Sequence, residues 1–220
     1  MSPSRPERLA VGIASGDRKV FASALNWPGW ARSGKTEEAA VEALLASAPR
    51  YAEAIRAAGL GLPEQLEVEL VERSRGGSGV DFGVPGSAAV SDARSVDAAE
   101  ATRLASIVEA AWVAFDRVRA GAPAELRKGP RGGGRDRDKM AAHVIESDWY
   151  YARELGLMDK APAWDDTAAI HRSRQAVVAI LREPSDGGPL AGRKWTQRYA
   201  AHRIAWHALD HAWEMQDRSE

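Results

Sequence analysis

The feature that most constrains the fold is a change of hydrophobic period near residue 95. From there onward, apolar residues recur at helical spacing in four segments, 96–119, 136–156, 166–183 and 196–217. Residues suited to helix starts stand close to the boundaries: Asp97, Asp136, Asp166 and Thr196. The breaks between the segments contain GAP, KGPRGGGR, GLMDKAPAW and EPSDGGPLAG, all rich in glycine or proline. Four amphipathic helices with such connections predict a four-helix bundle.

The first ninety or so residues mix strand and helix patterns instead. Apolar runs at 9–14 and 19–25 flank the turn residues 15–17, which predicts a β-hairpin. Thr36 is a good N-cap for a helical pattern that continues to Gly59, and Pro49 should divide it into two helices. Residues 66–71 alternate like a half-buried strand.

The segment RGGSGVDFGVPGSAAVSDAR is rich in loop-forming residues and is interpreted as a linker. The sequence therefore predicts an α+β protein in which a small α/β domain (1–90) precedes a helical bundle (95–220).

The stretch GWARSGKT at 29–36 matches the phosphate-loop pattern G-x-x-x-x-G-K-[ST]. Trp30 stands where the chain would have to wrap around a phosphate, and no later apolar strand ends in an aspartate that could complete a magnesium site. Too few strands follow to build the parallel sheet of such nucleotide sites. We therefore expect no nucleotide cofactor, and we interpret the stretch as the end of a strand followed by a helix that Thr36 caps.

Composition narrows the functional classes. The formal net charge is −1, without the basic excess of a dedicated nucleic-acid or membrane binder. The chain has no cysteine, so a metal would have to be held by histidine, aspartate or glutamate. No apolar run approaches membrane-spanning length, and MSPSRPERL lacks a signal-peptide core, so we expect a cytoplasmic protein.

The last helical segment carries the strongest chemical signal. His207 and His211 are four residues apart, which places them one turn apart on nearly the same helix face. The same face contains Ile204, Ala208 and Met215, so the pair belongs to the apolar stripe.

His143, in the second helical segment, lies close to another apolar stripe that includes Met140 and Val144. A histidine pair at i and i+4, with one histidine from a facing helix, can supply three nitrogen ligands to a divalent metal and leave positions open for substrate. Core histidines hydrogen-bonded to carbonyls or carboxylates would show the same spacing, so both interpretations stand on spacing alone.

The stretches AAHVIESDWYYARELG and HRIAWHALDHAWEMQD together resemble the DinB-like superfamily of four-helix bundles, over about 96–218. In that family, one histidine early in the second helix and an H-x-x-x-H pair in the last helix bind a metal. His143, His207 and His211 stand at those positions.

The resemblance implies a divalent metal ion, zinc or nickel. Because characterised DinB-like proteins include enzymes that use mycothiol or bacillithiol, it also implies a metal-dependent transferase that uses a low-molecular-weight thiol. The expected partners are that thiol and an electrophilic or anionic substrate. A metal-dependent hydrolase would need the same ligands and is one alternative. DinB-like bundles often dimerise, so the resemblance leaves room for a homodimer.

A second resemblance concerns the N-terminal region. VFASALNWPGWARSGKTEEAAVEALL is similar to the HicB-like antitoxin fold, in which a strand leads through a proline–glycine turn to a helix start. HicB-type antitoxins pair with a small toxin and often carry a DNA-binding segment, but no basic helix-turn-helix follows in this sequence. This resemblance implies the α/β fold and keeps a non-catalytic binding or regulatory module as the other alternative.

Further site residues are predicted around His143. Glu146 follows it by three residues and could orient a ligand or move a proton, although a solvated helix carboxylate fits equally. The segment RKGPRGGGRDRDK (127–139) contains six basic residues and two aspartates, and it leads into the same helix. Within it, Arg131 and Arg135 are predicted to bind a carboxylate or phosphate of the substrate, with a solvated loop as the alternative.

Overall fold

The computed structural model describes residues 7–86, 88–129 and 134–219. Four strands with three short α-helices form the N-terminal part, and four long helices form the C-terminal part, which confirms the predicted α+β class. None of the described helices combines the length and the hydrophobicity needed to cross a bilayer.

The sheet has the strand order β3-β2-β1-β4. The predicted hairpin is present as β1 (Glu7–Ser15) and β2 (Val20–Ala24), which pair antiparallel. The alternating segment forms β4 (Leu66–Arg75), which pairs parallel to β1. Because β1 lies inside the sheet, its apolar side chains Val11 and Ile13 are fully buried.

The fourth strand, β3 (Ala31–Gly34), was missed in the sequence, where we expected only a strand end before the helix. It pairs antiparallel with β2, so its backbone belongs to the sheet ladder and does not form a phosphate-binding loop. Gly34 is needed for packing, because a Cβ atom there would lie 2.4 Å from the backbone nitrogen of Ala40. Thr36 is the N-cap, and its side chain accepts a hydrogen bond from the N–H of Ala39 at 3.2 Å.

The predicted division of the first helical stretch is confirmed by α1 (Glu37–Ala46) and α2 (Ala48–Ile55), with Pro49 in the first turn of α2. Part of the segment interpreted as a linker is packed against the sheet. It contains a short helix, α3 (Ser78–Asp81), in which Val80 is fully buried. The carboxylate of Asp81 accepts hydrogen bonds at 2.7–3.1 Å from three backbone N–H groups of the β1–β2 turn.

The four long helices begin and end within two residues of the predicted bounds. They are α4 (Ala98–Gly121), α5 (Arg137–Glu154), α6 (Thr167–Leu181) and α7 (Gln197–Asp217). Both α4 and α5 pack against α6 and α7, so the helices form a four-membered ring in cross-section. Buried side chains of the bundle and of the sheet region form one continuous cluster. Asp97, Asp166 and Thr196 accept N-cap hydrogen bonds at the starts of α4, α6 and α7.

Asp148 is a buried carboxylate in the middle of α5. One of its oxygens lies 3.7 Å from Nε of Arg174 on α6, and neither oxygen has a hydrogen-bond partner within the described part of the chain. Burial raises the pKa of this carboxyl to about 7, with the charge of Arg174 opposing the change.

This group should make folding stability depend on pH. The pKa of this carboxyl is higher in the folded chain than in the unfolded chain. Between about pH 4 and pH 7, the folded state therefore keeps a proton that the unfolded state has already lost. The free energy of unfolding should therefore fall across that window, by at most about 1.4 kcal/mol per pH unit. Urea unfolding at pH 5 and pH 8 should show that Asp148→Asn gains stability relative to the wild type at the higher pH. The exposed Asp165→Asn is the control, and identical pH profiles for the wild type and Asp148→Asn would contradict the expectation.

Candidate metal centre

The three histidines predicted as metal ligands lie together between two neighbouring helices. His143 comes from α5, and His207 and His211 come from successive turns of α7. Each offers a ring nitrogen, and the three nitrogens lie within 4.8 Å of one another. The sequence placed His207 and His211 on one helix face, whereas the packing of α5 against α7 brings His143 to them.

The geometry fits a metal ion bound by imidazoles. Nε2 of His143 and Nε2 of His207 are 3.3 Å apart. Two nitrogens at tetrahedral positions around zinc, each at about 2.0–2.1 Å, would be separated by about 3.4 Å. The three rings are inclined to one another by 69–89°, with centroids 4.6–5.1 Å apart, so they approach a common point from different directions.

Burial keeps two of the three rings, those of His143 and His207, neutral. His207 is 5% exposed, and burial lowers its pKa well below the ordinary value. Burial also lowers the pKa of His143 to about 4, and the charges of Arg135 and His211 act in the same direction. A metal ligand must be a neutral imidazole, so both rings are ready to bind a cation at neutral pH.

A carboxylate orients the third histidine. Nδ1 of His211 lies 3.1 Å from Oε2 of Glu214, which leaves Nε2 of His211 for the cluster. The other oxygen of Glu214 accepts a hydrogen bond at 3.0 Å from Nη1 of Arg218. The hydrogen bond with His211 holds the pKa of Glu214 below its usual value, so this side chain remains an acceptor. Such partners of metal-binding histidines fix the ring orientation.

The sheet region also reaches this side of α7. Nη1 of Arg32, on β3, lies 3.1 Å from Oδ1 of Asp210, and its guanidinium stacks 3.9 Å above the ring of Trp213. Burial raises the pKa of Asp210, and the charge of Arg32 opposes this effect. Asp210, the neighbour of His211 in the chain, is therefore paired with an arginine from the other half of the fold.

The remaining predicted site residues have different positions. Arg135 is exposed, and it is close enough for its charge to lower the pKa of both His143 and His207. Glu146 is exposed on α5 and is not one of the clustered ligands, so its catalytic role stays a prediction. Arg131 lies outside the described residues, and its role is likewise untested.

Two residues of the site were missed in the sequence. Arg218 follows Glu214 by four residues and His211 by seven, a helical spacing that could have indicated the pair. Arg32 had no such signal, because its partner Asp210 is 178 residues away in the chain.

The walls around the cluster combine aromatic and cationic groups. The ring of Tyr151 meets His207 edge-on at 5.6 Å, and the guanidinium of Arg203 lies over Tyr151 at 5.6 Å and over Trp206 at 5.1 Å. Nδ1 of His207 is buried and has no hydrogen-bond partner among the described residues. A group bound beside His207 would therefore meet aromatic surface and the positive charge of Arg203.

Comparison with known proteins adds no relative: no family model, no curated protein and no solved structure matches the chain. The DinB-like and HicB-like resemblances therefore rest on their motifs alone.

Proposed function

We propose that the protein is a divalent-metal enzyme that transfers a low-molecular-weight thiol, of the mycothiol type, to an electrophilic substrate. The observation that carries the proposal is the convergence of His143, His207 and His211, with two neutral imidazole nitrogens 3.3 Å apart. Three protein ligands leave a position free for substrate, as in catalytic rather than structural sites. Zinc and nickel are the expected metals.

Each residue has a role in this proposal. The three histidines hold the metal, and Glu214 keeps the ring of His211 in its orientation through the 3.1 Å contact. A metal bound there would lower the pKa of a coordinated thiol. The thiolate sulfur would then form a bond to the electrophilic atom of the substrate, while the leaving group of the substrate would depart with the electron pair of the broken bond. Neutral ligands do not cancel the charge of the metal, and Arg135 adds a positive charge nearby. This environment favours anionic groups on the thiol or the electrophile, which Arg131 and Arg135 would bind.

The state of the nearby carboxylates supports a thiol more than a hydrolytic water. Glu214 is engaged by His211 and Arg218, and Asp210 is engaged by Arg32. A hydrolase needs a general base for its water, and both of these carboxylates are already paired, which would leave that role to the exposed Glu146. A thiol loses its proton far more readily, since its ordinary pKa is about 8.5. Glu146, which follows His143 by three residues, is proposed to accept the proton that the thiol releases.

The thiol step can be tested with cobalt as a spectroscopic substitute for the native metal and N-acetylcysteine as the probe. We expect the cobalt-loaded protein to develop a sulfur-to-cobalt charge-transfer absorption on titration with this thiol. The titration of N-acetylcysteine bound to the protein should also show a thiol pKa well below the value of about 8.5 for the free group.

The alanine variant of His207 provides the matched blank, because it should neither retain cobalt nor develop the absorption. N-acetylserine, which carries a hydroxyl in place of the thiol, controls for binding through the carboxylate alone. A protein that retains cobalt but responds identically to both probes would rule out the thiol proposal and favour the hydrolase. A protein that retains no metal would favour the non-catalytic binding module.

A further inference from the structure

The end of α7 connects a metal-ligand candidate to the loop that precedes α5. Nδ1 of His211 contacts Oε2 of Glu214 at 3.1 Å, and Oε1 of Glu214 accepts a hydrogen bond from Arg218 at 3.0 Å. These three residues lie at spacings of three and four, so they form a row on one side of the helix end, here called the α7 ladder. The Arg218 side chain is 10% exposed, so solvent weakens its ionic contact less than that of a surface pair.

The same guanidinium binds both stems of the loop before α5, residues 126–129 and 134–136. Nε of Arg218 donates to the carbonyl of Arg127 at 2.6 Å, and Nη1 donates to the carbonyl of Arg135 at 2.8 Å. In return, the backbone N–H of Arg127 donates to the carbonyl of Arg218 at 2.9 Å. The Arg218 side chain therefore binds the first stem, the second stem and the carboxylate that orients His211.

A glycine makes room for this contact. Gly134 has φ +120°, and a Cβ atom there would lie 2.7 Å from the Arg218 guanidinium. Both the backbone conformation and the close approach therefore disfavour any other residue. Asp136 adds a second tie between the stems, because it accepts a hydrogen bond from the N–H of Leu126 at 3.2 Å.

We propose that Arg218 is a positioning residue that couples metal binding at the three histidines to the conformation of the loop stems, 126–129 and 134–136. The inference rests on the metal centre of the proposed function. Displacing the stems would release the Arg218 guanidinium from Glu214, and the His211 ring would lose its orientation. Coupling between two sites is reciprocal, so a bound metal should also hold the stems in place. Arg135, which belongs to one stem, would thereby be held near the site when the metal is present.

Hydrogen exchange measured by mass spectrometry tests this coupling on the whole 220-residue chain. In the wild type, added zinc should slow amide exchange in both stems several-fold. In Arg218→Gln this zinc-dependent protection should disappear, and the zinc dissociation constant should rise by up to about ten- to a hundredfold, the range for groups that contact metal-binding histidines directly. Arg218→Lys should restore only part of the zinc-dependent protection and only part of the zinc affinity, because one ammonium group cannot reach all three acceptors in the same geometry.

Arg182→Gln is the matched control. It also removes an arginine–glutamate pair between bundle helices, the 2.7 Å contact with Glu109 on α4, but it leaves the α7 ladder intact. Both the zinc affinity and the protection of the stems should match the wild type. A merely structural role of Arg218 would raise exchange equally with and without zinc, whereas coupling removes the difference between the two states.

Gly134→Ala perturbs the same contact from the loop side and keeps Arg218, so it provides the test if Arg218→Gln does not fold. It should also weaken zinc binding and reduce the zinc-dependent protection. Wild-type zinc affinity together with undiminished protection in these variants would overturn the coupling and leave the proposed function standing. Zinc binding by the wild type without any change in the amide exchange of the stems would also overturn the coupling and leave the proposed function standing. A wild-type chain that binds no zinc, nickel or cobalt would overturn the proposed function itself.

Discussion

Replacing His207 with alanine is expected to abolish stoichiometric retention of zinc or nickel. His207 is the most buried of the three clustered histidines, and its Nε2 lies 3.3 Å from that of His143. Removing it eliminates a ligand outright, whereas changes to the groups that orient such ligands already cost about ten- to a hundredfold in affinity. We therefore expect a loss of at least about a hundredfold. Elemental analysis after gel filtration, and titration of added metal, would measure it.

Alanine variants of His143 and His211 should behave alike, since each contributes one nitrogen to the same cluster. His171→Ala is the matched control, because His171 is exposed on α6 and lies outside the cluster. Metal binding should also raise the unfolding temperature of the wild type and of His171→Ala, but not of the other three variants. The metal-centre hypothesis would be wrong if His207→Ala and the wild type retained equal amounts of metal.

Replacing Trp30 with alanine is expected to lower the free energy of unfolding by about 3–5 kcal/mol. This tryptophan is fully buried immediately before β3, and its ring stacks on Tyr51 with centroids 5.1 Å apart and planes 11° apart. Its Nε1 donates hydrogen bonds at 3.0 Å to the carbonyl of Leu44 and to Oγ of Ser47. The substitution would leave a cavity and also remove the donor that these buried acceptors share.

Urea unfolding followed by circular dichroism measures this effect. Phe82→Ala removes an aromatic ring that is 80% exposed, so it should change the free energy of unfolding by less than about 0.5 kcal/mol. The loss of unfolding free energy for Trp30→Phe should lie between those for Trp30→Ala and Phe82→Ala, because phenylalanine keeps most of the packing but lacks the indole donor. Comparable stabilities of Trp30→Ala and Phe82→Ala would show that the region around β3 contributes little to folding.

The phosphate-loop match shows how a short motif can be satisfied for other reasons. In the structure, Trp30 is a core residue, Gly34 allows β3 to approach α1, and Thr36 caps α1. Each of these residue types is required by local packing or capping, and together they reproduce the nucleotide-binding pattern. The surrounding strands and helices therefore decide the meaning of such a motif.

The long helices were predictable because their signals are local. Helical spacing of apolar residues and cap residues such as Asp97 and Thr196 act within a few positions of the chain. The same holds for the histidine pair on α7, where a spacing of four residues places both rings on one face. The β1–β2 hairpin follows from two apolar runs and a short turn.

The four-residue strand β3 could not be predicted in this way. Its residues, ARSG, carry no alternating pattern, and the segment becomes a strand because it pairs with β2 and packs under α1. The packing of Val80, in the segment interpreted as a linker, could not be predicted for a related reason, since its burial depends on contacts with the sheet. Composition indicates whether a segment tends to form loops, whereas its packing depends on residues that are distant in the chain and contact it in the folded structure.

The sequence by itself determined the α+β class, the bounds of the four long helices and the pairing of His207 with His211 on one face, because periodicity and capping are properties of neighbouring residues. Only the tertiary structure decided that His143 meets that pair, that Arg32 reaches Asp210, and that Arg218 joins the ladder to the loop stems. Those contacts join residues that lie 64 to 178 positions apart in the chain, and the packing of whole helices and strands brings them together.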